Sequence, residues 1–179
     1  MTSATGSARR RSNDASTPIE PDLFRALLRR QAASVVVVTA AASPPVGFTA
    51  TSFTSVSVRP PLVSFNLDRA SSSWPAVSAA GHVGVNILSQ GQENVARRFA
   101  TSGIDRFGDG LSWRAGPHGV PLLTGSLAWL VCHVVDRVHA GDHAIVLAEP
   151  VLGEHLYEPH FPLLYHMGRY LTAPHPPAA

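Results

Sequence analysis

The chain reads Gly47-Phe48-Thr49-Ala50-Thr51-Ser52-Phe53-Thr54-Ser55-Val56-Ser57 across one mostly extended stretch, which holds six hydroxyl side chains. An edge strand with a wet face would explain this composition, because threonine is common in strands. Alternation predicts a single polar face, however, and here Thr49 and Thr51 fall on one face while Ser52 and Thr54 fall on the other. In a buried strand these hydroxyls need partners. Small hydroxyls and backbone amides suit an anionic or amide-rich ligand, so an edge strand and a ligand site both remain open.

Strands dominate the sequence around this stretch. Residues 34–39 form a β-branched run that predicts a buried strand, and residues 62–67 alternate between apolar and polar positions. Apolar periodicity predicts a helix over 20–31, with a stripe of Leu23, Phe24, Leu27 and Leu28. The other predicted elements are helices over 74–80 and 92–100 and strands over 82–88, 127–138, 142–151 and 163–166. About seven strands and two or three helices predict a mainly β fold, and closure into a small barrel would remove exposed edges.

The composition predicts one globular domain. The 179 residues are 45% hydrophobic and only 15% charged. We expect a disordered N-terminal arm over 1–18, a folded domain over 19–172 and a flexible tail over 173–179. No apolar run approaches the ~20 residues that span a membrane, and no apolar segment follows the early arginines as a secretory signal would require. The single Cys132 fits a reducing compartment, so we expect a cytoplasmic protein without a membrane partner.

Positive charge is concentrated at the start of the chain. All 14 basic residues are arginine, and residues 1–30 hold six of them against three acids. Residues 31–179 hold eight arginines against nine acids. A nucleic-acid-binding domain concentrates positive charge on its folded body. We therefore expect no nucleic-acid partner.

Several common catalytic and metal motifs are absent. The sequence has no GxGxxG, no GxxxxGK[ST], no GxSxG and no HExxH. Cys132 lies among apolar residues of a predicted strand, which favours a buried structural thiol over a nucleophile. His133, His139 and His143 lie close in sequence but match no common ligand spacing. We therefore expect no metal.

A second polar cluster follows the strand over 62–67 and reads Asp68-Arg69-Ala70-Ser71-Ser72-Ser73-Trp74. Serines at a helix start commonly cap the helix. A helix start with hydroxyls and Arg69 also suits a phosphate, so both interpretations stay open. Arg97-Arg98 and Arg106 form a third basic group.

An ordered set of motifs resembles a known family. These motifs are Ser34-Val35-Val36-Val37-Val38-Thr39, Val46-Gly47-Phe48-Thr49-Ala50-Thr51-Ser52-Phe53, Ser55-Val56-Ser57-Val58-Arg59-Pro60-Pro61-Leu62-Val63, Val85-Asn86-Ile87-Leu88, Phe99-Ala100, Gly141-Asp142-His143 and Pro162-Leu163-Leu164-Tyr165-His166. Over residues 22–171 the chain resembles the short-chain flavin reductases, the reductase components of two-component flavin-dependent monooxygenases.

The resemblance implies a fold and an activity. The implied fold is a Greek-key split β-barrel with two or three flanking helices, usually as a homodimer. The implied activity is hydride transfer from NADH to FMN or FAD, with release of the reduced flavin to a partner monooxygenase. Such proteins lack a Rossmann fold, which agrees with the missing glycine fingerprint.

The resemblance also implies roles for individual residues. The residues that would hold the isoalloxazine ring and its phosphate-bearing chain are Thr49, Ala50, Thr51 and Ser52. Those that would line the ribityl chain and phosphate are Asn66, Leu67, Ser71, Ser72 and Ser73. Phe99 and Arg106 would lie near the distal end of the flavin. His143 would face the nicotinamide, and Tyr165 and Tyr170 would close the pocket. No side chain is assigned to the chemical step, because the two cofactors carry it.

Three alternatives accompany this hypothesis. The chain could be a flavin-binding barrel that acts as an oxidase or a flavin carrier, or a dimeric interaction module without a ligand. His143 could be a surface imidazole beside Asp142.

The strands over 127–138 and 142–151 are apolar on both faces, which independently predicts a two-fold dimer.

Overall fold

The computed structural model describes residues 18–155 and 161–172. The predicted arm over 1–18, apart from Pro18, and the predicted tail over 173–179 lie outside the described residues. The helices in the described part are α1 Pro21–Leu28, α2 Trp74–Ala79 and α3 Glu93–Ala100. The strands there are β1 Ala33–Ser34, β2 Val36–Ala40, β3 Val46–Ala50, β4 Thr54–Val58, β5 Pro61–Asp68, β6 His82–Ile87, β7 Trp113–Ala115, β8 Pro121–Leu123, β9 Ala128–Ala140, β10 His143–His155, β11 Leu163–His166 and β12 Arg169–Thr172.

Seven antiparallel strands form the main sheet, in the order β3-β2-β6-β9-β10-β5-β4. The sheet does not close by hydrogen bonds, since β3 and β4 are its two edges. These two edge strands are consecutive in the chain, so residues 51–53 connect one edge of the sheet directly to the other. The hydroxyl-rich stretch therefore spans the split in the sheet.

Two cores meet at strand β2. Val36, Val38 and Ala40 pack into the core enclosed by the main sheet and α2. The intervening Val37, preceded by Val35, packs into a second core beneath α3. Both faces of β2 are therefore covered, which explains why its sequence is almost continuously apolar. The predicted buried strand is confirmed.

A second, three-stranded sheet with the order β1-β11-β12 places α1 beside the split. Ala33 of β1 pairs with Tyr165 of β11, and the Met167 amide donates to the Arg29 carbonyl at 3.2 Å. The apolar stripe predicted on this helix exists, but its members are about half exposed. Their exposed fractions are 52% for Leu23, 50% for Phe24, 55% for Leu27 and 51% for Leu28.

The mainly β class and the presence of two or three helices are confirmed. The count of about seven strands fits the main sheet but not the whole described chain, which holds twelve. The strands that periodicity missed are two to four residues long, too short to show alternation. No helix in 18–155 or 161–172 has the length and apolar character needed to cross a bilayer.

Candidate functional site

The hydroxyls of the 47–57 stretch divide into bonded and free groups. Thr49 Oγ1 donates to the Ala96 carbonyl of α3 at 2.6 Å, which ties β3 to that helix. Ser52 Oγ accepts from the Asn66 amide at 2.9 Å and so links the split to β5. Thr51 is exposed, and its hydroxyl bonds to no other described residue. Ser52 therefore has a structural partner, whereas Thr51 is available to a ligand.

Arg106 is the centre of a polar junction behind β3, which we call the Arg106 junction. Its Nη1 donates to the Gly47 carbonyl at 2.7 Å and to Ser73 Oγ at 3.0 Å. Its Nε donates to the Thr101 carbonyl at 3.0 Å, and Ser73 Oγ donates to the Gly47 carbonyl at 3.2 Å. Partial burial lowers the pKa of Arg106 because desolvation disfavours the charged form. Arg106 Nε and Nη1 and the Ser73 hydroxyl thus hold the chain together, and we leave both residues out of the proposed site.

Phe99 lies entirely inside the second core, with no exposed surface. Its ring packs edge-on against Phe107, with the ring centroids 5.1 Å apart. A Cβ added to Gly47 would lie 2.7 Å from Phe99 Cε1, so glycine allows β3 to approach the ring. This position offers no surface for a flavin contact, and we leave Phe99 out of the proposed site. Ala50 and Leu67 are also buried, at 6% and 4% exposure, so their side chains contribute packing instead of ligand contacts.

The serine cluster before α2 does not cap the helix with its side chains. Ser73 occupies the N-cap position but forms no capping hydrogen bond, because its hydroxyl belongs to the Arg106 junction. Ser71 Oγ accepts from the Ser73 amide at 3.3 Å. Ser72 is exposed. Ser72 and the partly exposed Ser71 are therefore the hydroxyls of this cluster that a phosphate could reach.

The turn between β9 and β10 presents His143 beside the serine cluster. Arg69 Nη2 donates to the Gly141 carbonyl at 2.7 Å, and the Arg69 amide donates to the Asp142 carbonyl at 3.1 Å. His143 Nδ1 lies 2.6 Å from Asp142 Oδ1. The hydrogen bond from the His143 ring, followed by the charge interaction with it, lowers the pKa of Asp142. The carboxylate therefore fixes the Nδ1 side of the ring and leaves Nε2 for another partner.

A groove of about 830 Å³ runs between α1 and the split in the sheet. One wall holds Thr51, Ser52 and Asn66, and the other holds α1 and Tyr165. The volume lies in the upper part of the range for ligand pockets, about 300–1,000 Å³. Four residues that the family resemblance assigned to the flavin site therefore line one cavity. They are Thr51, Ser52, Asn66 and Tyr165.

Tyr170 lies behind Tyr165 and does not line the groove. Their rings pack edge-on with centroids 5.1 Å apart, and the Arg97 guanidinium lies 4.9 Å from the Tyr170 ring centroid. Burial, followed by the charge interaction with Tyr165, raises the pKa of Tyr170. Tyr170 therefore positions Tyr165 within the pair, while Tyr165 forms the wall.

Sequence reasoning missed the α1 side of the groove. The missed lining residues include Arg25, Arg29, Gln31, His166 and Met167. The arginines on the polar face of the predicted helix could have indicated a binding surface there. Nothing local indicated that this helix would lie against the split, because that placement depends on pairing between β1 and β11.

The groove fits a flavin in its chemistry. Thr51 and Asn66 line it, and their side chains have no hydrogen-bond partner among the described residues. A hydroxyl and an amide can both donate and accept, which matches the mixed donors and acceptors of an isoalloxazine edge. Among the described residues, none that lines the groove carries a carboxylate, so the groove does not repel a phosphate-bearing ligand.

Cys132 is a buried thiol, and the histidines join no metal-binding cluster in the described part of the chain. Cys132 is fully buried, as predicted, and burial raises its pKa to about 12, which keeps the thiol protonated. No group of three or more His, Cys, Asp or Glu residues within 18–155 and 161–172 is arranged to hold a metal.

The structure is a mainly β protein with a ligand-sized groove at the split in its sheet, and comparisons with known proteins give its family. Residues 28–174 match the model of the flavin reductase like domain. The chain is 43% identical over 162 residues to the NADH:FMN oxidoreductase of Rhodococcus qingshengii, covering 88% of this chain and 84% of that protein. It is also 37% identical over 157 residues to HsaB of Mycobacterium tuberculosis, the reductase subunit of a flavin-dependent monooxygenase. That match covers 87% of this chain and 83% of HsaB.

Solved structures agree with this assignment. The NADH:FAD oxidoreductase SgcE6 of Streptomyces globisporus, in complex with NAD and FAD fragments, superposes with a TM-score of 0.82 and 32% identity. The match covers 92% of this chain and 99% of that one. The chain belongs to the flavin reductase-like family. The family resemblance and the fold expected from the sequence are therefore confirmed, and the comparisons do not support the oxidase or carrier alternative.

Proposed function

We propose that the chain is an NADH:flavin oxidoreductase that transfers a hydride from NADH to FMN or FAD and releases the reduced flavin. The observation that carries this proposal is the groove, in which Thr51 and Asn66 offer free hydrogen-bonding groups beside Tyr165. Relatives that act as NADH:FMN and NADH:FAD oxidoreductases support it. Flavin and nicotinamide supply the redox chemistry when bound, so the protein has to bind and orient them.

Within this site each residue has a proposed role. Thr51 and Asn66 hydrogen-bond the isoalloxazine edge, and Tyr165 packs against the ligand from the opposite wall. Ser71 and Ser72 face the phosphate-bearing chain, with Arg69 beside them. These contacts are few and largely exposed, which suits a flavin that must leave after reduction.

We also propose that His143 contacts the nicotinamide nucleotide. Its ring is held through Nδ1 by Asp142 and stands 45% exposed at the start of β10. The turn that carries it is tied to Arg69, next to the proposed phosphate contacts. A free Nε2 can donate to or accept from a carboxamide or a phosphate.

A homodimer is the proposed assembly. On the outer face of the β9–β10 hairpin, Val138 pairs directly with Ile145, and their exposed fractions are 51% and 37%. Val135, Val151 and Leu152 on the same two strands are also about half exposed. These five residues on two paired strands give more apolar surface than scattered single residues would. We expect a two-fold dimer, and light scattering that gives only the 19.0 kDa monomer at micromolar concentration would contradict this.

The proposed partner is a flavin-dependent monooxygenase that receives reduced flavin by diffusion, as the name of the relative HsaB suggests. We place the exchange in the cytoplasm, where the single buried thiol of Cys132 would stay reduced.

One assay tests the proposed reaction. The protein is mixed with NADH and either FMN or FAD in air, which reoxidises free reduced flavin, and loss of the nicotinamide absorbance is followed. We expect sustained turnover of many NADH molecules per chain with at least one flavin. A single stoichiometric turnover, or none with either flavin, would overturn the proposal.

A further inference from the structure

The α1 end of the groove carries positive charge that the proposed flavin contacts do not use. Arg25, Arg29 and His166 line this end. Arg25 is paired with Asp22 through Nη1 and Oδ1 at 2.8 Å, and Asp22 does not line the groove. The Arg29 side chain has no hydrogen bond or ion pair with any described residue. An unpaired guanidinium and an imidazole that line the same groove are donors of the kind that bind a phosphate.

The backbone fixes this pair in place. Arg29 caps α1, and its carbonyl accepts from the Met167 amide at 3.2 Å. Met167 and Gly168 form the turn after β11 with φ angles of 50° and 80°, so His166 and Arg29 are on directly bonded segments. The helix carbonyls at this end accept from the amides of Arg29, Arg30 and Gln31, which offsets the negative end of the short helix dipole.

This cationic end is separate from the serine cluster proposed for the flavin phosphate. None of the residues from Arg69 to Ser73 lines the groove, whereas Arg29 and His166 do. FMN has one phosphate, which the proposed function assigns to the serine cluster. A second anion-binding region therefore implies a ligand with more than one phosphate. An adenine dinucleotide is such a ligand, because its two nucleotides are joined by a diphosphate.

We propose that Arg29 and His166 form an anion subsite that binds the adenosine diphosphate part of a dinucleotide and so favours dinucleotides over FMN. Both FAD and NADH carry this group, and the experiment distinguishes them. The inference rests on the proposed function, because it assumes that flavin occupies the groove.

The test measures binding without turnover. Dissociation constants for FAD, FMN, NADH and ADP are measured separately by equilibrium dialysis for the wild type, Arg29→Gln and Arg30→Gln. Arg30 is the adjacent exposed arginine and does not line the groove, so it is the matched control for charge. Equal thermal midpoints confirm that both variants are folded.

We expect Arg29→Gln to weaken ADP and at least one dinucleotide about fivefold, near the upper limit for an exposed ion pair. FMN should stay within twofold, and Arg30→Gln should change nothing. Weakening of FAD identifies flavin as the source of the diphosphate, and weakening of NADH identifies the nicotinamide nucleotide. The proposal is overturned if Arg29→Gln changes no dinucleotide, weakens FMN as much as FAD, or has the same effect as Arg30→Gln. A wild type that binds these ligands but never oxidises NADH would instead contradict the proposed function.

Discussion

The Arg106 junction and the groove involve opposite ends of the same short stretch, Gly47 and residues 51–54, and both contain polar residues expected to bind flavin. In the junction, each polar group has an internal partner: Arg106, Ser73 and the Gly47 carbonyl satisfy one another. In the groove, Thr51 and Asn66 keep free side chains. The difference teaches that residue type alone does not distinguish a polar side chain that stabilises the fold from one that is available to a ligand. What separates them is whether the folded chain already supplies the partner.

Changes in the junction should therefore lower stability, and changes in the groove should lower affinity. The largest effect should come from Gly47→Ala. The new Cβ would lie 2.7 Å from Phe99 Cε1 and 3.0 Å from the Val38 carbonyl, and neither a buried ring nor backbone moves easily. We expect a loss of about 3 kcal/mol in the free energy of unfolding, at the upper end for overpacking.

Urea denaturation checks this value, with Gly91→Ala as the control because nothing lies within 4 Å of a Cβ there. A neutral Gly47→Ala variant would mean that β3 is not held against the second core.

The next effect should come from Arg106→Met, which keeps much of the length and removes the donors. The Gly47 carbonyl and Ser73 Oγ would each lose a charged hydrogen bond in a partly buried place. We expect about 2 kcal/mol of destabilisation by urea denaturation. Flavin affinity measured well below the melting temperature should be nearly unchanged. A folded, fully stable variant that has lost flavin binding would show that Arg106 contacts the ligand after all.

Thr51→Val and Thr49→Val make the sharpest comparison, because the same change is placed two residues apart. Thr51→Val should weaken flavin binding about tenfold, the loss of one to two hydrogen bonds, with stability unchanged. Thr49→Val removes the donor to Ala96 and should cost about 1 kcal/mol of stability with little effect on affinity. Flavin fluorescence titration and urea denaturation on both variants give the four values. Equal changes in affinity for the two variants would remove the distinction between the two regions.

The smallest effect should come from His143→Ala. Losing one hydrogen bond of about 1 kcal/mol should raise the KM for NADH about fivefold, with flavin affinity intact. His133→Ala, an exposed imidazole on β9 away from the turn, is the control. If flavin affinity falls while the NADH dependence is unchanged, His143 belongs to the flavin contacts. If neither changes, the surface interpretation was right.

Local pattern was sufficient for much of the fold. Alternation over residues 62–67 placed Val63, Phe65 and Leu67 on one face of β5, and all three are buried. Helical periodicity placed Val95, Ala96 and Phe99 inward on α3. Ala96 and Phe99 are fully buried, and Val95 is partly buried against the same core. Such patterns depend on near neighbours along the chain, which is why a single sequence reveals them.

The candidate site depended on distant contacts, and there the sequence was a weaker guide. Phe99 was assigned both to the inward face of a helix and to the flavin, and only the first position is seen. Ser73 gave no sign that its partner would be Arg106, which is 33 residues away in the chain. A hydroxyl looks the same in sequence whether it binds a ligand or a carbonyl, so the assignment needs the tertiary structure.

The position of the β9–β10 hairpin has a consequence for the order of folding. The half-sheets β3-β2-β6 and β5-β4 are complete by residue 87, yet in the main sheet they are joined only through strands that begin at residue 128. During synthesis the two halves must therefore wait, with β6 and β5 as open edges, until the hairpin emerges to join them. The hairpin therefore completes the main sheet last, and we expect substitutions that weaken it to leave the edges of β6 and β5 free to pair with other chains.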